Sequence, residues 1–286
     1  MIASLFYSIA FFLQAILTPG LNKVDGKRIK KTRAKIATID TLINESSALI
    51  KPSNLFDFYF TLNDSGGKPE VFSINDKGEL LATMPIPNAK NVDWEELTYY
   101  YDSLSNPHIV IGDIGNNNNQ RRNLCLYDYD IQHKSTSKQT FTYADQAAFP
   151  PIKDSMNYDC EAFFKKDSSY YFISKNRGDN SVKMYRLGEA PSSTSATIHQ
   201  RIQMKGRTTA CSVWKDEKTA AEKLAVLFYG RIVVFNIIET EKGIELNAYG
   251  VIKFSSGGQT EGICWYNKNE LRATNEKGEL FKIVLR

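Results

Sequence analysis

Glutamate recurs at one phase of this chain. Glu45, Glu95, Glu161 and Glu261 each stand in a short apolar segment, within NESSALI, VDWEELTYY, YDCEAFFKK and TEGICWYN. A second polar signature follows each one at Asn63-Asp64, Gly112-Asp113, Lys175-Asn176 and Thr274-Asn275. Solvation of a surface does not place acids at a fixed phase inside apolar strands. Carboxylates that converge on one axis repel each other, and a hard cation such as Ca2+, which takes six to eight oxygen ligands, offsets that repulsion. Glu45, Glu95, Glu161, Glu261, Asp64, Asp113, Asn176 and Asn275 are therefore the candidate metal set. A structural role competes with this one: recurring polar side chains also hydrogen-bond the backbone of the next repeat and satisfy buried N–H groups without metal. The same acids admit catalysis as well, since a metal-bound water beside a glutamate base hydrolyses esters or phosphoesters. No residue is marked as a nucleophile.

The elements that must position these acids form a repeat. Five segments share one pattern, anchored at Glu45, Glu95, Glu161, Ala210 and Glu261, with separations of 50, 66, 49 and 51 residues. Each holds short runs rich in Tyr, Phe, Val and Ile, divided by Gly, Asn and Asp turns, such as HIVIGDIGNN then NLCLYDYDI, or KLAVLFYG then RIVVFNII. A period near 50 carried by short strands predicts an all-β propeller of five four-stranded blades. The long second interval holds an insertion over 132–157, read as a strand followed by a surface loop; a sixth blade there is the alternative. The last repeat ends at Arg286 with three strands. The apolar, β-branched segment 34–40, AKIATID, is expected to supply its fourth and to close the ring. Blade four departs from the polar pattern, with Ala210 and Gly230.

The domain division follows: residues 1–20 as a signal peptide or membrane anchor, 21–33 as a basic linker, and 34–286 as one propeller. Residues 2–17 carry no charge, yet the run is shorter than the roughly 20 apolar residues of a membrane-spanning helix. It reads as an export signal, which places the protein in the periplasm, at the cell surface or outside the cell. If uncleaved, residues 2–17 anchor it. The net charge is only +4, and much of the basic excess lies within Lys23–Lys35, so no nucleic-acid surface is expected. Cys125, Cys160, Cys211 and Cys264 sit in apolar strand patterns without metal spacing. They read as buried thiols, although an even count in an exported chain also permits two disulfides. His108, His133 and His199 show no ligand spacing, and no GxSxG, Walker or HExxH motif is present. In IGDIGNNNNQRRN (111–123), Arg121 and Arg122 are placed to pair with Asp113 or with an anionic ligand.

The order of motifs resembles exported bacterial propellers of the SdiA-regulated and esterase-like-phytase groups. NDSGG (63–67) and NVDWEEL (91–97) resemble their HNDSG-like turn and NVDWED-like strand, YDCEAFF (158–164) their DAEAL element, and QTEGICW (259–265) with ATNEKGEL (273–280) their closing blade. The likeness runs from about residue 44 to 286. It implies a propeller with Glu-led blades and a phosphoester- or ester-directed alternative function. Leu62 stands where the family has the His before NDSG, and Ala210-Cys211 replaces an acidic element. The function expected is binding of a ligand or protein partner on one face of a monomer, in association with the envelope, with Ca2+ in the channel. The alternative is a metal-dependent hydrolase.

Overall fold

The computed structural model describes residues 22–23, 27–53, 55–175, 177–179, 181–204 and 206–286. The expected signal or anchor over 1–20, and the candidate ligand Asn176, lie outside the described residues. Among the described residues no helix is long and apolar enough to cross a membrane.

Strands account for nearly all regular structure. The N-terminal stretch gives β1 (Asn22–Lys23), β2 (Lys27–Arg28) and β3 (Lys31–Thr38). Blade one holds β4 (Tyr59–Leu62), β5 (Glu70–Ile74) and β6 (Leu80–Pro85), with residues 46–50 as an irregular inner edge bridged Ser46 to Asn63 and Ile50 to Phe60. Blade two runs through β7 (Trp94–Tyr101), β8 (Pro107–Asp113), β9 (Leu124–Asp130) and β10 (Ser135–Tyr143). Blade three is β11 (Asp159–Lys166), β12 (Ser169–Lys175), β13 (Ser181–Gly188) and β14 (Ser195–Gln203). Blade four is β15 (Thr208–Lys215), β16 (Glu222–Phe228), β17 (Arg231–Thr240) and β18 (Gly243–Lys253). Blade five is β19 (Thr260–Asn267), β20 (Glu270–Asn275) and β21 (Glu279–Leu285), with β3 as its fourth strand. The five-bladed, all-β architecture and its N-terminal closure are as the repeat predicts. The insertion after Ile131 is β10 plus a loop with one 3-10 turn at Lys153–Ser155.

Closure is antiparallel, from Glu279 opposite Thr38 to Leu285 opposite Lys31, so the closing strand begins three residues before Ala34. The stretch read as linker also contributes pairing. β1 lies parallel on β14 and β2 parallel on β18, so the chain crosses the outer edges of blades three, four and five in turn. These contacts cover edges that would otherwise present unpaired backbone groups.

Alternation along each strand explains the core. In β16, Leu224, Val226 and Phe228 face blade three, where Phe164, Ile173 and Met184 meet them, while Ala225 and Leu227 face Ile263, Trp265 and Phe281 of blade five. A blade packed on both faces needs near-continuous apolar sequence, which KLAVLF supplies. Five apolar clusters result, one between each pair of neighbours, the last joining Leu49, Tyr59 and Ile74 of blade one to Cys264 and Leu280 of blade five. Each fully buried Leu, Ile, Val or Phe contributes roughly 1.5–3 kcal/mol.

Candidate functional site

The inner strands of blades two to five share one irregularity. Their pairing shifts register between Trp94 and Glu96, Cys160 and Ala162, Thr208 and Ala210, and Thr260 and Gly262. The residue inside each shift is Glu95, Glu161, Thr209 or Glu261. A β-bulge re-aims the side chain it carries, and here it turns the glutamates of three blades toward one mouth of the channel. Two residues earlier, blades one, two, four and five share a backbone hydrogen bond, Asp64 N–H to Glu45 O (3.0 Å), Gly115 to Asp93 (3.1 Å), Tyr229 to Arg207 (3.2 Å) and Glu276 to Gln259 (3.0 Å), while in blade three Arg177 N–H donates to the Asn157 side chain instead.

This register revises the repeat phase in two blades. Glu45 matches Asp93 rather than Glu95 and is exposed, and Ser47 takes the place of the bulged glutamate. In blade four that place belongs to Thr209, one residue before Ala210. Both hydroxyl residues bond the next blade: Ser47 Oγ donates to Trp94 O at 3.1 Å, and Thr209 Oγ1 to Thr260 O at 2.8 Å. The inter-blade role thus occurs in blades one and four, and the acids in blades two, three and five.

Two overlapping carboxylate triads form. Asp64, Asp93 and Glu95 each offer an oxygen within 4.8 Å of the others, and so do Glu95, Asp159 and Glu161. The second triad carries its own counter-ions. Lys175 Nζ donates to Glu161 Oε1, and Arg177 Nε donates to Asp159 Oδ2 at 2.6 Å while Asn116 N–H donates to Oδ1 at 2.8 Å. Glu161 Oε2, on a residue only 4% exposed, has no hydrogen-bond partner among the described residues. The first triad makes no salt bridge among the described residues. Gly115 passes directly against it, and a Cβ there would collide with both Glu95 Oε1 and the Asp93 carboxylate.

Electrostatics follow from crowding. Burial, then the neighbouring Asp64, pushes Asp93 up to about 6. Burial raises Glu95 well above the usual carboxylate range, and Glu161 beside it adds to this. Burial raises Glu161 to about 8 against the opposing pull of Lys175, and Glu261 to about 7 although Gln259 donates to it. Burial works against the charge of Lys175, but Glu161 more than reverses that and holds the ammonium protonated. Such a cluster wants either protons or a cation.

The other candidates lie differently. Asp113 Oδ1 accepts from Arg121 at 2.7 Å and from Asp93 N–H at 3.1 Å, the ion pair that IGDIGNNNNQRRN suggested. Asn275 orders its own turn, its Oδ1 accepting from Lys277 N–H (3.2 Å) and Glu279 N–H (3.0 Å). Asp93 and Asp159 were not singled out from the sequence. Their signal is the repeated D-x-E of Asp93-Trp94-Glu95 and Asp159-Cys160-Glu161 in adjacent blades. Deeper in the channel Glu96, 1% exposed, accepts from Leu97 N–H (3.0 Å) and Cys211 N–H (2.9 Å).

No family model matches this chain, and no match was found among curated proteins. Among solved structures, a variant of an exo-beta-1,3-galactanase from Phanerochaete chrysosporium, crystallised with beta-1,3-galactotriose, is similar at TM-score 0.52 and 9% identity, over 90% of this chain and 64% of that one. The structure of U3-55K aligns at TM-score 0.42 and 11% identity, over 84% of this chain and 68% of that one. The galactanase likeness is one of fold.

Proposed function

We propose that this protein is a ligand-binding propeller whose channel mouth holds a divalent cation, Ca2+ by its chemistry, at Asp64, Asp93 and Glu95. The observation that carries this reading is the convergence of three carboxylates without a salt bridge among the described residues, beside Glu161 and Asp159, which pair with Lys175 and Arg177. Hard, oxygen-only donors suit Ca2+. The ligand or protein partner then engages the mouth face of an exported, envelope-associated monomer, in keeping with the motif resemblance to SdiA-regulated and esterase-like-phytase propellers. Calorimetric titration with Ca2+ tests this: wild type binds, and Glu95→Gln, an isosteric change that removes the shared charge, loses at least tenfold in affinity. Absence of any heat or thermal shift with Ca2+, Mg2+ or Mn2+ would sink it.

One observation favours a second reading, metal-assisted hydrolysis of an ester or phosphoester. Asp93, pushed up to about 6, and Glu95, held well above the usual carboxylate range in the same triad, titrate apart from each other, as a general base and a general acid do. A panel of ester and phosphoester substrates with Ca2+ separates the two: turnover that Asp93→Asn abolishes supports hydrolysis, and no turnover leaves binding alone.

A further inference from the structure

Blade four lacks the acid that its neighbours place at the mouth. Thr209 is drawn to the backbone of Thr260, and the β16–β17 turn is Tyr229-Gly230, where blade one has Asp64. A cavity of about 280 Å3 lies beside this turn, between blades four and five. Tyr229 and Phe254 give it aromatic lining, the Phe228 ring being turned away toward blade three, and Ser255, Gln259 and Thr260 give it polar lining.

The cavity adjoins the acidic mouth through two of its own residues. Gln259 lines it and donates to Glu261. Tyr229 lines it too, and its ring centre lies 5.7 Å from the Lys175 ammonium that holds Glu161. An occupant therefore has one end among aromatic rings and amides and the other at carboxylates. Glu261 borders the cavity through Gln259, while Lys277 runs beside Gly258 with its ammonium on Gly257 O and Lys175 lies beyond Tyr229, so charges of both signs flank it and a neutral occupant suits it. The Tyr229 face suits a flat apolar surface, while the Ser255 hydroxyl and Gln259 Oε1 suit hydroxyls around it; Thr260 Oγ1 already pairs with Ser256 and Gln259 Nε2 with Glu261. A pyranose ring presents both. The volume is just below the roughly 300–1,000 Å3 of drug-sized sites, which suits one ring. Tyr229 is 42% exposed and offers its ring at the rim as a stacking platform.

We propose that the cavity between blades four and five is a sugar subsite, which takes one neutral pyranose residue stacked on Tyr229, hydrogen-bonded to Gln259 and turned with a hydroxyl toward Glu261. This names the ligand class of the mouth and rests on the cation reading only for the end that faces the carboxylates. The test is saturation-transfer NMR and calorimetry on the full chain, with and without Ca2+. The probes are methyl glycosides of glucose, galactose, mannose and N-acetylglucosamine. At least one binds wild type in Ca2+. Tyr229→Ala, which removes the platform, and Ser255→Trp, which fills the cavity from an exposed position, each weaken it tenfold or more. Both variants keep the wild-type Ca2+ titration and melting temperature. Failure of all four glycosides to bind wild type in Ca2+, or binding that survives both variants, overturns the proposal. Sugar binding in a protein that takes no cation overturns the cation reading and leaves the subsite standing.

Discussion

The buried carboxyl of Glu96, in blade two, accepts the backbone N–H of Cys211, in blade four, at 2.9 Å. These blades are not neighbours, so the bond spans the channel. Burial holds this carboxyl well above the usual carboxylate range, opposed by the Cys211 and Leu97 N–H groups. Glu96→Ala leaves the Cys211 N–H buried without a partner and opens a void. The expected loss of stability is about 2–4 kcal/mol, read from urea denaturation. A loss below about 0.5 kcal/mol would mean that the cross-channel bond contributes little.

Gly115 offers a cleaner probe of the first triad than any acid. Its lack of a side chain lets the Asp93 and Glu95 carboxylates lie over its Cα. Gly115→Ala pushes both aside without removing a charge. Ca2+ affinity should fall at least tenfold, and circular dichroism should show an unchanged strand signal. Unaltered affinity in a folded variant would move the cation away from these two residues.

The raised carboxyls give the metal-free protein a defined pH response. Asp93 (about 6), Glu261 (about 7) and Glu161 (about 8) lie above the ordinary values near 4 that they regain on unfolding. Between about pH 5 and 8 the folded state therefore binds more protons than the unfolded state, and stability falls as pH rises. In EDTA the melting temperature should drop from pH 5 to pH 8, and Ca2+ should raise it more at pH 8 than at pH 5. A rise across that window in EDTA contradicts the proton balance.

The four thiols are buried and unpaired, and burial raises each of them, Cys125 to about 11 and Cys160 to about 12. Little thiolate exists at neutral pH and none is accessible. An aromatic disulfide reagent should react with fewer than one thiol per native chain and with all four in guanidinium, while reductant leaves the melting temperature unchanged. Rapid native labelling would show that a blade opens locally.

The ring was legible because its signal is apolar. HIVIGD, YYFISK and KLAVLF announce two-sided burial at a period near 50, and unpartnered AKIATID announces closure. The phase of the acids was harder to read. A bulge adds one residue to one strand without marking its composition, so sequence spacing set Ala210 beside the glutamates where the fold sets Thr209, and Glu45 where it sets Ser47. Glu95, Glu161 and Asp64 could be named because each stands beside an apolar run or turn. Asp93 and Asp159 were passed over because nothing in one dimension shows that positions two apart both reach the mouth. The loop pair Asp113–Arg121 was visible because its members are eight residues apart.

The route of the N-terminal stretch decides how the molecule bears load. Arg286 N–H meets Lys30 O at 2.9 Å, yet residues before Lys30 continue past that seam along β18 and then β14. A pull applied upstream of Asn22 reaches two brief parallel ladders before it reaches the long antiparallel one. Tension applied there is expected to peel the contact with blade three first and that with blade four next, before it loads the clasp that keeps the circle shut.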